Sequence, residues 1–308
     1  MPEMEKFLVL LAGPTAVGKS AMAMRLAEYF QTDIVNADAR QVFAEMSVGT
    51  ARPTAEDCRR VPHHLAGHRS IHQAYDAAVF AEEARNRLEE LFRHRNLVFL
   101  CGGSGLYIRA LLDGLDDIPD VDESLRLVIG DEFRSRGLEW LQDEVKKADP
   151  VLYSRTDIMN PRRLLRALEV YRQTGMPLSS FQLQNRPVLP YRIIRIALHR
   201  PRTGLYEEID RRTDRMLSSG LWEEAAGLFP YRHLQALQTV GYREIFDCLE
   251  DKTDRTEAVR LIKRNTRHYA KRQITWFRQD TRIRWFDWND AASVRNHIVE
   301  QTGSQSGG

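Results

Sequence analysis

In the first third of the chain, apolar residues gather in short unbroken runs separated by stretches of mixed character. Phe7–Leu11 (FLVLL), Asp33–Ala37 (DIVNA) and Leu97–Cys101 (LVFLC) are too short for buried helices. Continuous apolar runs of this length predict strands covered on both faces, as in a parallel sheet. Between them the apolar positions recur at helical spacing, over Ala21–Phe30 and Ala77–Phe92. Strands alternating with helices predict an α/β fold, a parallel sheet flanked by helices.

The pattern then changes. From about Asp120 to Gln184 only helical periodicity remains, over Glu123–Arg136, Leu138–Ala148 and Pro161–Gln173. Pro161 suits a first helical position after the capping residue Asn160, and Gly175 suits a stop. This stretch predicts an all-helical insertion. Arg192–Leu198 (RIIRIAL) reads as a strand again. Helices follow at Glu207–Ser218, Leu221–Phe229 and Thr256–Arg278, with a last strand at Ile283–Trp288. The predicted organisation is a core in two pieces, 1–119 and 188–302, interrupted by the insertion 120–187 and closed by a Gly/Ser/Gln-rich tail, 303–308, expected to be disordered.

The chain of 308 residues is long enough for one large domain or two modest ones. Its apolar runs are too short to span a bilayer. MPEMEKF lacks the layout of a secretion signal. A cytoplasmic protein with no membrane partner is expected. Cys58, Cys101 and Cys248 are scattered and include no CxxC pair, so neither a zinc site nor a disulfide framework is indicated. The net charge of +2 hides a concentration of basic residues: Arg255–Arg284 carries ten Lys or Arg against Glu257 and Asp280. Such an excess is either a solvated helix face or a surface for an anionic partner.

The sharpest chemical signal is Gly13-Pro14-Thr15-Ala16-Val17-Gly18-Lys19-Ser20 (GPTAVGKS), between the first strand and the first helix. This spacing in this context is a phosphate-binding loop. Its glycines let backbone N–H groups turn toward phosphate oxygens, and the helix N-terminus adds positive dipole. Lys19 would reach the outer phosphates and Ser20 would hold Mg²⁺.

Other candidates follow from topology. Asp38, in NADARQ, lies at the carboxyl end of the second strand, where ligands of open α/β sheets bind. It suits a general base, a group behind a Mg²⁺ ligand, or a helix N-cap. Gly102-Gly103-Ser104-Gly105 follows the third strand and permits close backbone approach, or is simply a tight turn. Lys263, Arg267, Lys271 and Arg278 share one side of the basic helix, a phosphate-binding face, with Ile262, Tyr269 and Trp276 as its buried stripe. Arg162 and Arg166 form a second basic patch on the insertion. His63 and His64 read as loop residues, since adjacent side chains diverge too far to share a metal. A small-molecule kinase, a non-catalytic RNA-binding module and a group-transfer enzyme acting on RNA all remain open on these signals.

GPTAVGKS, NADARQ, GTARP, VPHH, GGSGLY, NPRRLLRALEVYRQTG, VGYRE and TRHYAKRQITWFR occur in this order from about Phe7 to Trp288. The ordered set resembles the tRNA dimethylallyltransferases, or tRNA isopentenyltransferases. The resemblance implies a P-loop NTPase-like sheet with an all-helical insertion domain. It also implies transfer of a dimethylallyl group from dimethylallyl diphosphate to N6 of the adenosine 3′ of the anticodon, with Mg²⁺ as cofactor. The partner would be the anticodon stem-loop of tRNA, and a monomer is expected. By resemblance, Thr15–Ser20 would bind diphosphate, Asp38 would be the general base, Arg212 would contact diphosphate, and Thr15 would join Asp38 and Arg212 in the catalytic set. The tRNA-binding stretches would be Asp38-Ala39-Arg40-Gln41, Ser104, Arg126, Arg162-Arg163-Leu164-Leu165-Arg166 and Gln238-Thr239-Val240-Gly241-Tyr242-Arg243. This chain departs from the usual pattern at Ala39, where a serine is common, at Ser104, where threonine is commoner, and at AGHRS after VPHHL.

Overall fold

The structure, a computed structural model, describes residues 5–181 and 188–303. The Gly/Ser/Gln-rich tail lies outside them except for Gly303, which ends the last helix in left-handed conformation at φ +64°.

Six strands form one sheet: β1 (Phe7–Ala12), β2 (Ile34–Asn36), β3 (His63–His64), β4 (Leu97–Cys101), β5 (Arg192–His199) and β6 (Arg284–Asp287), in the order β3-β2-β4-β1-β5-β6. Every neighbouring pair is parallel. The central strand β1 is buried along its whole length, which is why its sequence is an unbroken apolar run rather than an alternating one. His63 and His64 are a two-residue edge strand rather than the loop that the sequence suggested. They pair with Ile34 and Val35 because the Asp33 carboxylate anchors His64 at 2.9 Å. Burial alone would raise the pKa of Asp33, but hydrogen bonds from His64 and Arg95 hold its carboxyl below the usual range.

The helices are α1 (Lys19–Phe30), α2 (Ala55–Arg60), α3 (Ala77–Leu91), α4 (Gly105–Leu112), α5 (Glu123–Ala148), α6 (Pro150–Arg155), α7 (Pro161–Thr174), α8 (Arg202–Ser218), α9 (Leu221–Leu228), α10 (Tyr242–Leu249), α11 (Arg255–Arg278) and α12 (Ala291–Thr302). The chain divides into two compact units, one of residues 1–112 with 188–308 and one of residues 113–187. The second unit begins at Asp113, directly after α4, earlier than the boundary at 120 drawn from helical periodicity.

In the sheet unit, Val9, Leu11, Phe99, Ile196 and Leu198 of the strands pack with Met22, Leu26 and Ala27 of α1. A second core of Val42, Met46, Leu237, Tyr242, Ile245, Phe246 and Ile262 lies under the segment that follows β2. Each such side chain contributes roughly 1.5–3 kcal/mol on burial, so that connection is held as firmly as a regular element. The helical unit has its own core, including Ile129, Leu141, Val145, Leu152, Leu164 and Leu168. Its α5 is interrupted at Gly137, φ +80°, and α7 ends at Gly175 in left-handed conformation, both where the sequence placed a break. No helix among the described residues is long and apolar enough to cross a membrane.

Candidate active site at the carboxyl edge of the sheet

The phosphate-binding loop leaves β1 at Gly13, whose φ of +139° is open to glycine. A Cβ there would also stand 2.9 Å from the Leu198 carbonyl oxygen of β5. Ala16 is left-handed at φ +63°, an uncommon state for a residue with a side chain. The turns at Ala16 and Gly18 produce the reversal that brings α1 in at Lys19. The Lys19 ammonium donates to the carbonyls of Gly13 and Pro14 at 2.9 and 2.7 Å. Burial lowers its pKa to about 8, against the opposing effects of the nearby Cys101 and Asp38; Arg212 pushes in the same direction as burial.

Arg212 comes from α8, on the far side of β5, and donates to the Thr15 hydroxyl at 3.0 Å and the Thr50 carbonyl at 3.1 Å. Burial lowers its pKa, and the charge of Asp38 works against that loss. Asp38, Lys19 and Arg212 therefore share one electrostatic neighbourhood, although they are distant in sequence. No helix follows Asp38. Its Oδ1 instead accepts the backbone N–H groups of Arg40 and Gln41 at 2.9 and 3.4 Å, which closes a turn and leaves Oδ2 with no bond of that kind.

The Gly-rich turn after β4 locks onto this turn. Ser104 Oγ accepts the Ala39 N–H at 2.8 Å, and the Ser104 N–H reaches the Ala37 carbonyl at 3.2 Å. A Cβ on Gly102 would overlap the Ala37 carbonyl, so only glycine admits this approach. From α11, Gln273 ties the two loops together. Its Oε1 accepts the Thr15 N–H at 2.8 Å and its Nε2 donates to the Gly103 carbonyl at 2.8 Å. Gln273 was not singled out in the sequence, but a signal exists there. It occupies the same helical face as buried Ala270 and Phe277, and a polar residue at a core position calls for a partner.

A pocket of about 280 Å³ opens beside the loop, lined by Gly18, Lys19, Ser20, Arg200, Glu208, Arg212 and Trp288 among others. Cations preformed beside a helix N-terminus suit a polyphosphate group. The carboxyl group of Asp38 at the same rim suits proton removal.

Residues 41–280 match the family described as IPP transferase. The chain belongs to the IPP transferase family. A tRNA dimethylallyltransferase from Cytophaga hutchinsonii is 46% identical over 298 residues, 97% of this chain and 98% of that one. The full-length tRNA isopentenylpyrophosphate transferase of Bacillus halodurans, solved by crystallography, superposes with a TM-score of 0.72 at 34% identity, covering 97% of both chains. A eukaryotic dimethylallyltransferase described as acting on tRNA has a TM-score of 0.79 at 24% identity, covering 96% of this chain and 79% of that one, and shares the fold.

Within this IPP transferase fold the remaining predicted residues separate. On α11, Lys263 pairs with Asp214 at 2.6 Å and Arg267 with Asp210 at 2.7 and 2.5 Å. These two cations knit α11 to α8 rather than facing outward, because α8 presents acids at matching spacing. Lys271 and Arg278 are exposed. The expected buried stripe is corrected too. Ile262 is buried and Tyr269 half-buried, but Trp276 is 40% exposed, since the packed face runs through Ala270, Gln273 and Phe277. Lys271, Arg272 and Trp276 line an open groove on this helix.

Tyr242 is fully buried and donates to Glu224 at 2.6 Å. Glu224 in turn accepts the N–H groups of Ser47, Val48 and Gly49, so Tyr242 shapes the 47–50 loop and presents no side chain to a partner. Gln41 donates to the Thr50 and Ala51 carbonyls of the same loop. Arg40 reaches the Gln235 carbonyl at 3.3 Å, and Gln238 the Arg232 carbonyl at 2.6 Å. Gly241 is buried, Thr239 and Val240 are half-buried, and Arg243 is exposed. In the helical unit Arg126, Arg162 and Arg163 are exposed, and Arg166 donates to the Pro119 carbonyl. Leu164 is fully buried, so its side chain is closed to RNA, and Leu165 is half-buried against the same core.

Proposed function

We propose that this protein transfers a dimethylallyl group from dimethylallyl diphosphate to N6 of the adenosine 3′-adjacent to the anticodon of tRNA. The observation that carries the reading is the meeting of Lys19, Arg212 and the Thr15 hydroxyl with the Asp38 carboxylate at one rim of the sheet. The loop amides and the two cations would hold the diphosphate and stabilise the charge that builds on it as the allylic C–O bond breaks. The allyl carbon would bond to N6 of adenine, and the N6 proton would pass to Asp38, leaving diphosphate as product.

Ser20 is exposed at the start of α1, and no cluster of His, Cys, Asp or Glu side chains able to hold a metal exists among the described residues. Mg²⁺ needs few protein ligands when phosphates supply the rest, so Ser20 with diphosphate oxygens fits it. When bound there, Mg²⁺ neutralises charge on the departing group.

Exposed Lys271, Arg272 and Arg278 on α11 and Arg243 on α10 would meet phosphates of an anticodon arm. The helical unit, taken by itself, carries exposed Arg126, Arg162 and Arg163 of the same chemistry. An adenine in a single-stranded loop leaves its stack at a cost of only a few kcal/mol. The protein is proposed to act as a cytoplasmic monomer.

The test is incubation of the purified protein with Mg²⁺, labelled dimethylallyl diphosphate and a tRNA whose anticodon is followed by adenosines. Nucleoside mass spectrometry is expected to find N6-dimethylallyl adenosine. Its absence, or turnover of ATP to ADP with a phosphorylated metabolite, overturns the reading.

A further inference from the structure

Arg200 follows β5 directly, at the edge of the sheet from which the phosphate-binding loop springs. It lines the 280 Å³ pocket opposite Gly18–Ala21. Its guanidinium carbon stands 4.0 Å from the centroid of the Trp288 ring, and Trp288 itself packs near Gly18, 3.6 Å from where a Cβ would lie. The side chain is 12% exposed, so its direction is set by packing rather than by solvent.

The charge around Arg200 is unbalanced. Its nearest acid is Glu208 at 3.7 Å, too long for a hydrogen bond. Glu208 is already taken by Arg211 at 3.0 Å and Arg215 at 2.7 Å, so three guanidiniums share one carboxylate. Glu208 and Arg212 are one turn apart on α8 and both border the pocket. The result is a guanidinium held over an indole ring at the border of the same pocket, and balanced by only a fraction of one negative charge. A guanidinium donates two parallel N–H groups in the geometry that phosphate oxygens accept.

We infer that Arg200 is a second diphosphate-binding arginine, gripping the phosphate nearer Ser20 and Ala21 while Arg212 and Lys19 hold the one within the loop. Its ion pair with Glu208 loosens as the diphosphate enters, and Trp288 keeps the guanidinium plane aimed at the pocket. The inference deepens the proposed reading and rests on it.

The experiment is calorimetric titration of the purified protein, with Mg²⁺, by inorganic pyrophosphate and separately by orthophosphate. Arg200→Met keeps the long side chain against Trp288 and removes the charge. It is expected to weaken pyrophosphate binding about 10–100-fold, the worth of a charge-assisted hydrogen bond, with little effect on orthophosphate. Arg200→Lys, which keeps the charge but not the fork, is expected to fall between, and it serves alone if the Met variant does not fold. Pyrophosphate affinity equal to that of the parent in a folded variant overturns the role of Arg200 and leaves the proposed reaction standing. A parent protein that fails to bind pyrophosphate at all overturns the proposed reaction, and this inference with it.

Discussion

The guanidinium of Arg212 donates to the Thr15 hydroxyl at 3.0 Å and to the Thr50 carbonyl at 3.1 Å, so one side chain joins the phosphate-binding loop to the segment after β2. It is thereby placed before any substrate arrives. Arg212→Ala is expected to lower the single-turnover rate of prenyl transfer by about 10³-fold or more, in analogy with arginines that stabilise phosphoryl groups. A rate within tenfold of the parent would show that Arg212 only braces the loop.

Asp38 has one oxygen committed to the Arg40 and Gln41 amides. Asp38→Asn can keep that turn through its amide oxygen while losing the base. Transfer is expected to fall roughly 10²–10⁴-fold with tRNA affinity unchanged in a filter-binding assay. Equal transfer rates for variant and parent would remove Asp38 from the chemistry.

Lys19 titrates at about 8 in the free protein, against the usual 10.5, chiefly because it is buried. Between these two values the unfolded chain holds the proton that the folded chain has lost. The burial penalty is therefore present in full below pH 8 and is relieved as pH rises through that window, so ligand-free stability should gain from this group there. Binding runs the other way. Bound diphosphate favours the ammonium, so pyrophosphate affinity is expected to fall as pH rises above about 8, with proton uptake. Calorimetry in buffers of different ionisation enthalpy measures that uptake; a flat profile from pH 7 to 9.5, or an unchanged one in Lys19→Met, would refute the assignment.

On α11 the cations differ in kind. Lys271→Ala is expected to weaken tRNA binding and reduce the slope of log affinity against log salt by about one. Lys263→Ala, whose ammonium is paired with Asp214, should leave the slope nearly unchanged. Equal effects would place both on the RNA.

Gly102→Ala forces a methyl group into the Ala37 carbonyl. Overpacking of this kind costs about 1–3 kcal/mol, and a chemical denaturation curve should show it as a lower midpoint.

Much of this was legible in the chain. The unbroken run Phe7–Leu11 marked the central strand, and GPTAVGKS marked the turn from it into α1, because burial on both faces and a tight glycine-rich reversal each demand a local pattern. The helix breaks at Gly137 and Gly175 were visible for the same reason. Three features were not. His63–His64 is a strand only through pairing with β2, which no propensity encodes. The inward commitment of Lys263 and Arg267 depends on acids of α8, nearly fifty residues or more away in sequence. Arg200 and Trp288 meet only because β5 and β6 are neighbours in the sheet.

Gln273 accepts the amide of Thr15 across 258 positions of sequence. A ribosome emitting this chain releases the phosphate-binding loop early and its brace near the end. Until α11 has emerged and docked, the loop lacks the bond that sets its shape. The final geometry of the loop is thus a late event in synthesis, fixed by a residue from the last part of the chain to be made.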